Sequence, residues 1–331
     1  MDSLTQIVLG AAVGEAVLGK KIGNKAMLYG GIAGTIPDLD TFAGFFTDTV
    51  TAIELHRAFT HSIIFAVVFA PVLGLLVSKI ERKSIATWKN WSWLFFWGLL
   101  THPILDSFTT WGTQLFWPLE TELAFKSIFV IDPLYTLPLI IGLVLAFRQK
   151  KGSKKRRYYN NLGLLTSTGY LLLSLALKGV AFEKFEKSLQ NQTISYLQIE
   201  TRPSPLNIVL WNANVELENA YLIGDYSFFD ERPIQFERYP KNHQLLGDLK
   251  NHPKVQRLID ISNGWYTISK KNDVLRFNDL RFGKMNPYQK NSSFVFSYEL
   301  IETKNGLTVK EVEKTPENAK NLLSNLWQRI F

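Results

Sequence analysis

The sequence predicts an α-helical integral membrane domain, with four or more spans plus short N-terminal helices, followed by a β-rich α+β soluble domain. Three observations carry this expectation. Long uncharged apolar runs crowd the first 180 residues, and most of the charge falls in the remainder. Beyond residue 180 the pattern changes to alternation between Asn, Gly, Pro and Asp punctuation. With 331 residues, 46% of them hydrophobic, the chain is long enough for two independently packed units. The boundary is drawn between residues 1–180 and 181–331.

In chain order, residues 4–18 and 26–36 are short, Gly- and Ala-rich apolar stretches separated by GKKIGNK. Their length argues against confident spans, and their small residues suit a re-entrant or tightly packed pair, because such residues let helix backbones approach closely. Four later segments, at residues 62–80, 91–108, 128–147 and 161–178, approach the length of about 20 residues that a bilayer requires. Lys79, Arg82, Lys83 and Lys89 lie between the first two, and Arg148, Lys150, Lys151, Lys154, Lys155, Arg156 and Arg157 between the last two. Cationic short loops favour the cytoplasm. Both loops are therefore expected inside, with residues 106–127 and the whole soluble domain outside, as in a multi-pass protein of a bacterial cytoplasmic (inner) membrane.

In the second half, TISYLQIETRP, NIVLWNANVEL, GWYTIS and SSFVFSYELIE read as strands. Residues 317–330 place Ala319, Leu322, Leu323, Leu326 and Ile330 on one face of a helix expected to pack on that sheet.

Composition excludes several classes. No cysteine occurs, so disulfides and thiolate metal sites are ruled out. The net charge of +8 raises the question of nucleic acid, but so much of it sits in one loop between apolar runs that a membrane topology signal explains it better. The N-terminus lacks a basic region before its first apolar stretch and is expected to be retained. No phosphate-binding loop, dinucleotide fingerprint or nucleophile elbow is present.

Chemistry concentrates in the first half. Three of the five histidines, His56, His61 and His102, stand beside apolar segments, where ionisable groups are costly and usually line cavities, pair or bind ions. Asp38 and Asp40 end the second short stretch in GTIPDLD, and His102 and Asp106 are four apart, on one face of a helix. The loop orientation brings these groups and Asp132 to one outer face. Imidazole and carboxylate without thiolate suit a divalent metal ion, zinc first, with manganese or iron as alternatives, as one or two ions. Arg57 could bind a substrate phosphate through its planar fork. Blander readings stand beside these: PDLD is a common turn, and Asp132 before Pro133 is equally well a helix N-cap. Glu15, Asp2 and Gln6 are further candidates for completing the site. His243 and His252, in polar contexts, are expected at the surface.

The segments MDSLTQIVLGAAVGEA, PDLD, HRAFTHS, THPILDSFTTWGTQLFWP and IDPLYTLP, in this order and spacing, resemble the YdjM-like family, whose members are described as metal-dependent hydrolases of the bacterial inner membrane. The resemblance covers roughly the first 180 residues. It implies a membrane-bound hydrolase whose metal ligands are Asp38, Asp40, His56, His61, His102 and Asp106. One departure is Gln6, where many relatives open with a histidine.

The resulting expectation is hydrolysis of a phosphoester in a lipid or lipid-linked substrate at the outer membrane face, with His56, Arg57, His61 and Asp106 as the catalytic group and the bilayer as partner. The rivals are a metal-handling transporter, whose site should lie near the bilayer midplane, and a non-catalytic membrane protein with a closed structural metal.

Overall fold

The computed structural model describes residues 1–286, 292–304, 306–314 and 319–331. The chain divides into two compact units. The first comprises Met1–Ala43, Leu55–Leu177 and Pro205–Ile208, and the second Gly44–Glu54, Lys178–Ser204 and Val209–Phe331.

The first unit begins with helix α1 (Ser3–Ile22), whose Asp2 N-cap accepts a hydrogen bond from the Thr5 amide. Helix α2 (Asn24–Thr35) turns back at Gly23, which takes φ 64°. The two backbones pack almost in contact. A Cβ built on Gly14 would lie 2.2 Å from the Ala26 carbonyl oxygen, and one on Gly34 would lie 2.5 Å from that of Gln6. This is the tightly packed pair expected from the Gly- and Ala-rich sequence. A 3-10 segment, Pro37–Phe45, follows, then the short α3 (Thr49–Leu55), which lies in the second unit up to Glu54, and a second 3-10 turn, Phe59–His61, leads into α4 (Ile63–Ile80), which Ser62 caps through its hydroxyl. Then come α5 (Trp88–Asp106), opened by a Thr87/Asn90 capping box, α6 (Pro133–Phe147), and the 38-residue α7 (Lys154–Asn191), which from Lys178 onward belongs to the second unit. Trp91, Leu94, Phe95 and Leu99 of α5 are buried against Ala33 of α2 and Phe65, Ala66 and Ala70 of α4.

The expectation of four or more spans is corrected. Among the described residues, two helices are long and apolar enough to cross a membrane: Ile63–Ile80 and Lys154–Asn191. The physical reasons differ for the other two. Helix α6 has 15 residues, about 22 Å at 1.5 Å per residue, short of a hydrocarbon core of about 30 Å. Helix α5 has the length, but Lys89, Asn90, Ser92, Thr101, His102 and Asp106 interrupt its apolar character, and much of it is buried within the unit.

The second unit holds two four-stranded antiparallel sheets, each connected in sequence order. Strands β1 (Gln198–Pro203), β2 (Leu210–Glu216), β3 (Ala220–Ser227) and β4 (Phe236–Pro240) form one. Strands β5 (Tyr266–Lys271), β6 (Val274–Lys284), β7 (Phe294–Thr303) and β8 (Gly306–Glu311) form the other. The four segments read as strands correspond to β1, β2, β5 and β7. Leu246 and Val255, the latter in a short helix (Pro253–Ile261), pack with Ile268, Phe277 and Tyr298. Val50, from a helix at Thr49–Leu55, joins this core, and Glu54 of the same helix accepts an ion-paired hydrogen bond of 2.7 Å from Arg257. A last helix occupies Ala319–Ile330 and is tied down by an Arg329–Asp230 ion pair, whereas residues 317 and 318 of the expected helix lie outside the described residues. His252 caps the Pro253 helix, and His243 stacks on Tyr266 with its Nε2 donating to the Tyr266 carbonyl, so both are half-buried structural groups.

Candidate metal centre

The centre is assembled from three elements of the first unit. Asp38 comes from the 3-10 segment after α2, His61 from the turn before α4, and His102 and Asp106 from one face of the last turns of α5. One ligand atom from each of Asp38, His61, His102 and Asp106 lies within 4.8 Å of the others, and together they could hold a metal ion. Five of the six separations are known individually. The two Nε2 atoms are 3.1 Å apart. His61 Nε2 lies 3.4 Å from Asp38 Oδ1 and 3.5 Å from Asp106 Oδ2, and His102 Nε2 lies 3.3 and 3.6 Å from the same two oxygens. A regular tetrahedron with bonds of about 2.0–2.1 Å, usual for zinc to nitrogen or oxygen, has edges of about 3.3–3.4 Å. The five separations thus match the edges of such a ligand set, and the sixth, between the two carboxylate oxygens, is at most 4.8 Å.

Proton placement supports the same conclusion. His102 Nδ1 lies 2.6 Å from the Gly34 carbonyl oxygen, which can only accept, so this nitrogen carries the proton. His61 Nδ1 faces Asp40 Oδ2 at 3.2 Å and the Thr60 hydroxyl at 3.1 Å, and that hydroxyl donates to Asp40. When both rings are neutral, as metal binding requires, Nε2 of each therefore presents a lone pair towards the other. Two lone pairs at 3.1 Å repel unless a cation lies between them. Asp106 Oδ2, fully buried beside both, also lacks a hydrogen-bond donor. The residues fit a divalent cation on these grounds.

An outer layer fixes three of the four ligands, His102 through the Gly34 carbonyl and the others through side chains. Asp40 bonds the back of His61 in the carboxylate–histidine arrangement that raises ligand basicity and fixes ring orientation, and it also accepts from the Arg57 amide at 3.0 Å. Its other oxygen lies 2.8 Å from His56 Nδ1. Gln6 Nε2 donates to Asp106 Oδ1 at 3.0 Å, and the Met1 amine contacts the same oxygen, which leaves Oδ2 for the centre. Arg57 holds φ at 68°, a left-handed conformation that costs a non-glycine residue energy and concentrates at functional sites. Its buried guanidinium donates to the Thr109 hydroxyl at 3.0 Å, with Nε 3.5 Å from Asp106 Oδ2.

Charge follows from this packing. Burial pushes the Asp38 carboxyl up, but the adjoining His102 and His61 rings outweigh it and hold the group below the usual carboxylate range. For His61 without metal, burial works against the charged form, and the facing carboxylates of Asp106, Asp38 and Asp40 reverse this, raising the ring to about 9.

Of the residues expected from sequence, Asp38, His61, His102 and Asp106 meet at one point. Asp40, His56 and Arg57 stand immediately around it. Asp132 lies outside the four-residue group: it caps α6, accepting from the Leu134 and Tyr135 amides, and takes the Tyr170 hydroxyl at 2.9 Å. Asp2 caps α1, and Glu15 pairs with Arg156, so neither is in the group. Sequence reasoning missed the Gly34 carbonyl and Thr60. A main-chain acceptor leaves no mark in a sequence, whereas Thr60 beside His61 was a readable candidate for a bond to the ring.

Comparison with known proteins supplies the family. The model described as "YdjM inner membrane protein" matches residues 1–183. The chain is 35% identical over 102 residues to the inner membrane protein YbcI of Escherichia coli (strain K12), a match covering 30% of this chain and 57% of that protein, so the alignment spans little more than half of the relative. No solved structure matches. The matched region runs through more than half of the chain and contains every residue of the centre, and the chain belongs to the YdjM inner membrane protein family.

Proposed function

We propose that the protein is a membrane-bound, metal-dependent hydrolase acting on a phosphoester of a lipid or lipid-linked substrate at the outer face of the cytoplasmic membrane. The observation that carries this reading is the pair of facing Nε2 atoms at 3.1 Å, closed by two carboxylate oxygens into a four-atom ligand set. A divalent ion at that point supplies Lewis acidity and a water of lowered pKa. The protein's own residues do the rest. His61 and His102 are aimed by Asp40 and the Gly34 carbonyl, with both Nε2 atoms turned to the centre. Arg57 balances the charge of Asp106 and offers a fixed cation beside the position where a phosphoester develops negative charge. Asp38 is the ligand open to solvent, 21% exposed where the other three are at 0%, so approach is from its side. Leu39 and Phe42, on the same 3-10 segment, are exposed apolar side chains, which favours a substrate with a lipid portion.

A second reading has its own support. Four protein ligands is the number that closes a structural zinc site, whereas catalytic sites usually keep three and an open position. Metal analysis of the purified protein, with His61→Ala and Asp106→Ala alongside, joined to a phosphatase and phosphodiesterase screen, separates these. Stoichiometric metal lost in both variants, with hydrolysis only in the wild type, supports the proposal. Metal without hydrolysis assigns a structural ion, and no metal after gentle purification rejects the centre.

A further inference from the structure

A second cluster of charged groups plays no part in the metal centre. It gathers around Lys20, 14 residues and so about 21 Å along α1 from Gln6. Here Glu15 and Arg156, both buried, form a two-pronged ion pair with both contacts at 2.6 Å, and Arg156 also donates to Asn24 Oδ1 at 2.8 Å. This pair forms part of the wall of a cavity of about 550 Å³ that Lys20, Ser153, Lys154, Arg157 and Asn160 also line.

Three features give this cavity its character. First, Arg156 uses both oxygens of Glu15, and none of Lys20, Lys154 and Arg157 has an ion pair among the described residues, so the lining carries surplus positive charge. Secondly, α7 begins there, and its free first-turn amides add to the positive potential, the Ser153 hydroxyl accepting only that of Arg156. Thirdly, Asn160 is 2% exposed and fixed by donating to the Ala12 carbonyl at 2.9 Å, which leaves its Oδ1 a buried acceptor with no partner. A ligand matching all three brings an anionic phosphate together with a hydroxyl donor. Further along α7, Leu162 and Leu165 are exposed, so an acyl chain could continue along an apolar helix face.

We propose that this cavity binds a phosphate group, and that the hydroxyl-bearing headgroup of an acidic glycerophospholipid is its source. Basic pockets among membrane helices on the positively charged side favour such headgroups. The site is independent of the metal centre and of the hydrolase reading.

The test uses the full chain in neutral detergent, followed by native mass spectrometry and thermal unfolding with phosphatidylglycerol, phosphatidylcholine or inorganic phosphate. Phosphatidylglycerol should give discrete adducts and raise the melting temperature, while phosphatidylcholine should not. The double variant Lys20→Gln/Arg157→Gln should bind phosphatidylglycerol about tenfold more weakly, because charge-assisted bonds are lost, while melting like the wild type without lipid. Equal stabilisation by inorganic phosphate, lost in the same variant, would keep the phosphate site and assign it to a soluble anion. Equal lipid binding by variant and wild type, no preference over phosphatidylcholine, or no binding of either phosphate source would overturn the proposal.

Discussion

At the scale of single residues, the centre depends on Asp40 as much as on its ligands. Asp40 holds the proton of His61 Nδ1 and thereby directs the Nε2 lone pair inward, while the same carboxylate fixes the Arg57 amide and His56. Replacing it by Asn leaves the four ligand atoms present but weakens their orientation, and loss of such outer partners costs about 10–100-fold in metal affinity. Asp40→Asn should therefore still reach full occupancy at high metal, with a dissociation constant raised by that factor in competition with a chelator. The pH profile has a definite sign. A ring held at about 9 in the metal-free protein carries a proton at neutral pH, and metal must displace it, so affinity should climb from pH 7 to about 9 in the wild type. Removal of the Asp40 charge lowers that ring's pKa, so the climb should end at lower pH; identical profiles would dismiss the role given to Asp40. The sequence exposed the ligand types and the His102/Asp106 helical spacing, but not which carboxylate binds and which supports. That division depends on ring orientation, set by contacts such as His102 to Gly34, 68 residues away.

At the scale of elements, the site rests on the seam between α1 and α2. The glycines there are packing surfaces, and the same seam delivers Gln6 to Asp106 and the Gly34 carbonyl to His102. A methyl group at Gly14 would lie 2.2 Å from the Ala26 oxygen and 2.8 Å from the Gly30 Cα, so the backbones must part. Gly14→Ala should destabilise the protein by about 1–3 kcal/mol, the range for overpacking, and lower its metal content. Gly169 in α7 provides the contrast: a Cβ there meets nothing within 4 Å, and Ala should stabilise the helix by about 0.5–1 kcal/mol. Thermal unfolding of the two variants measures this, and similar melting temperatures would refute the seam. Small-residue stretches were legible as a close helix pair because Gly spacing is a local signal. The Asp132 alternatives were equally legible, and the structure shows the cap, with two amides and Tyr170 satisfying the carboxylate.

At the scale of the whole molecule, hydropathy located the apolar segments but miscounted those able to span, because a helix packed inside protein and one facing lipid are both apolar. Helix α5 shows the difference: Trp91, Leu94, Phe95 and Leu99 are buried in the unit's own core, while α4 and α7 leave most of their apolar windows unburied. The two candidate spans still allow a test of orientation. Between them lie Arg82, Lys83, Lys89, Arg148, Lys150 and Lys151, with Lys79 and Lys154 to Arg157 at the adjoining helix ends, and such charge is retained in the cytoplasm. The chain contains no cysteine, so each introduced thiol is a unique probe. Ile85→Cys and Lys151→Cys, at exposed positions between the spans, should react with a membrane-impermeant maleimide only after lysis. Asn191→Cys, at the exposed end of α7, should react in intact cells with a permeabilised outer membrane, because about 57 Å of helix exceeds a hydrocarbon core of about 30 Å. The reverse labelling pattern would place the sheets of the second unit in the cytoplasm. It would also turn the metal centre, where the far end of α5 meets His61 at the start of α4, towards the cytoplasm and remove the basis for an outer-face substrate.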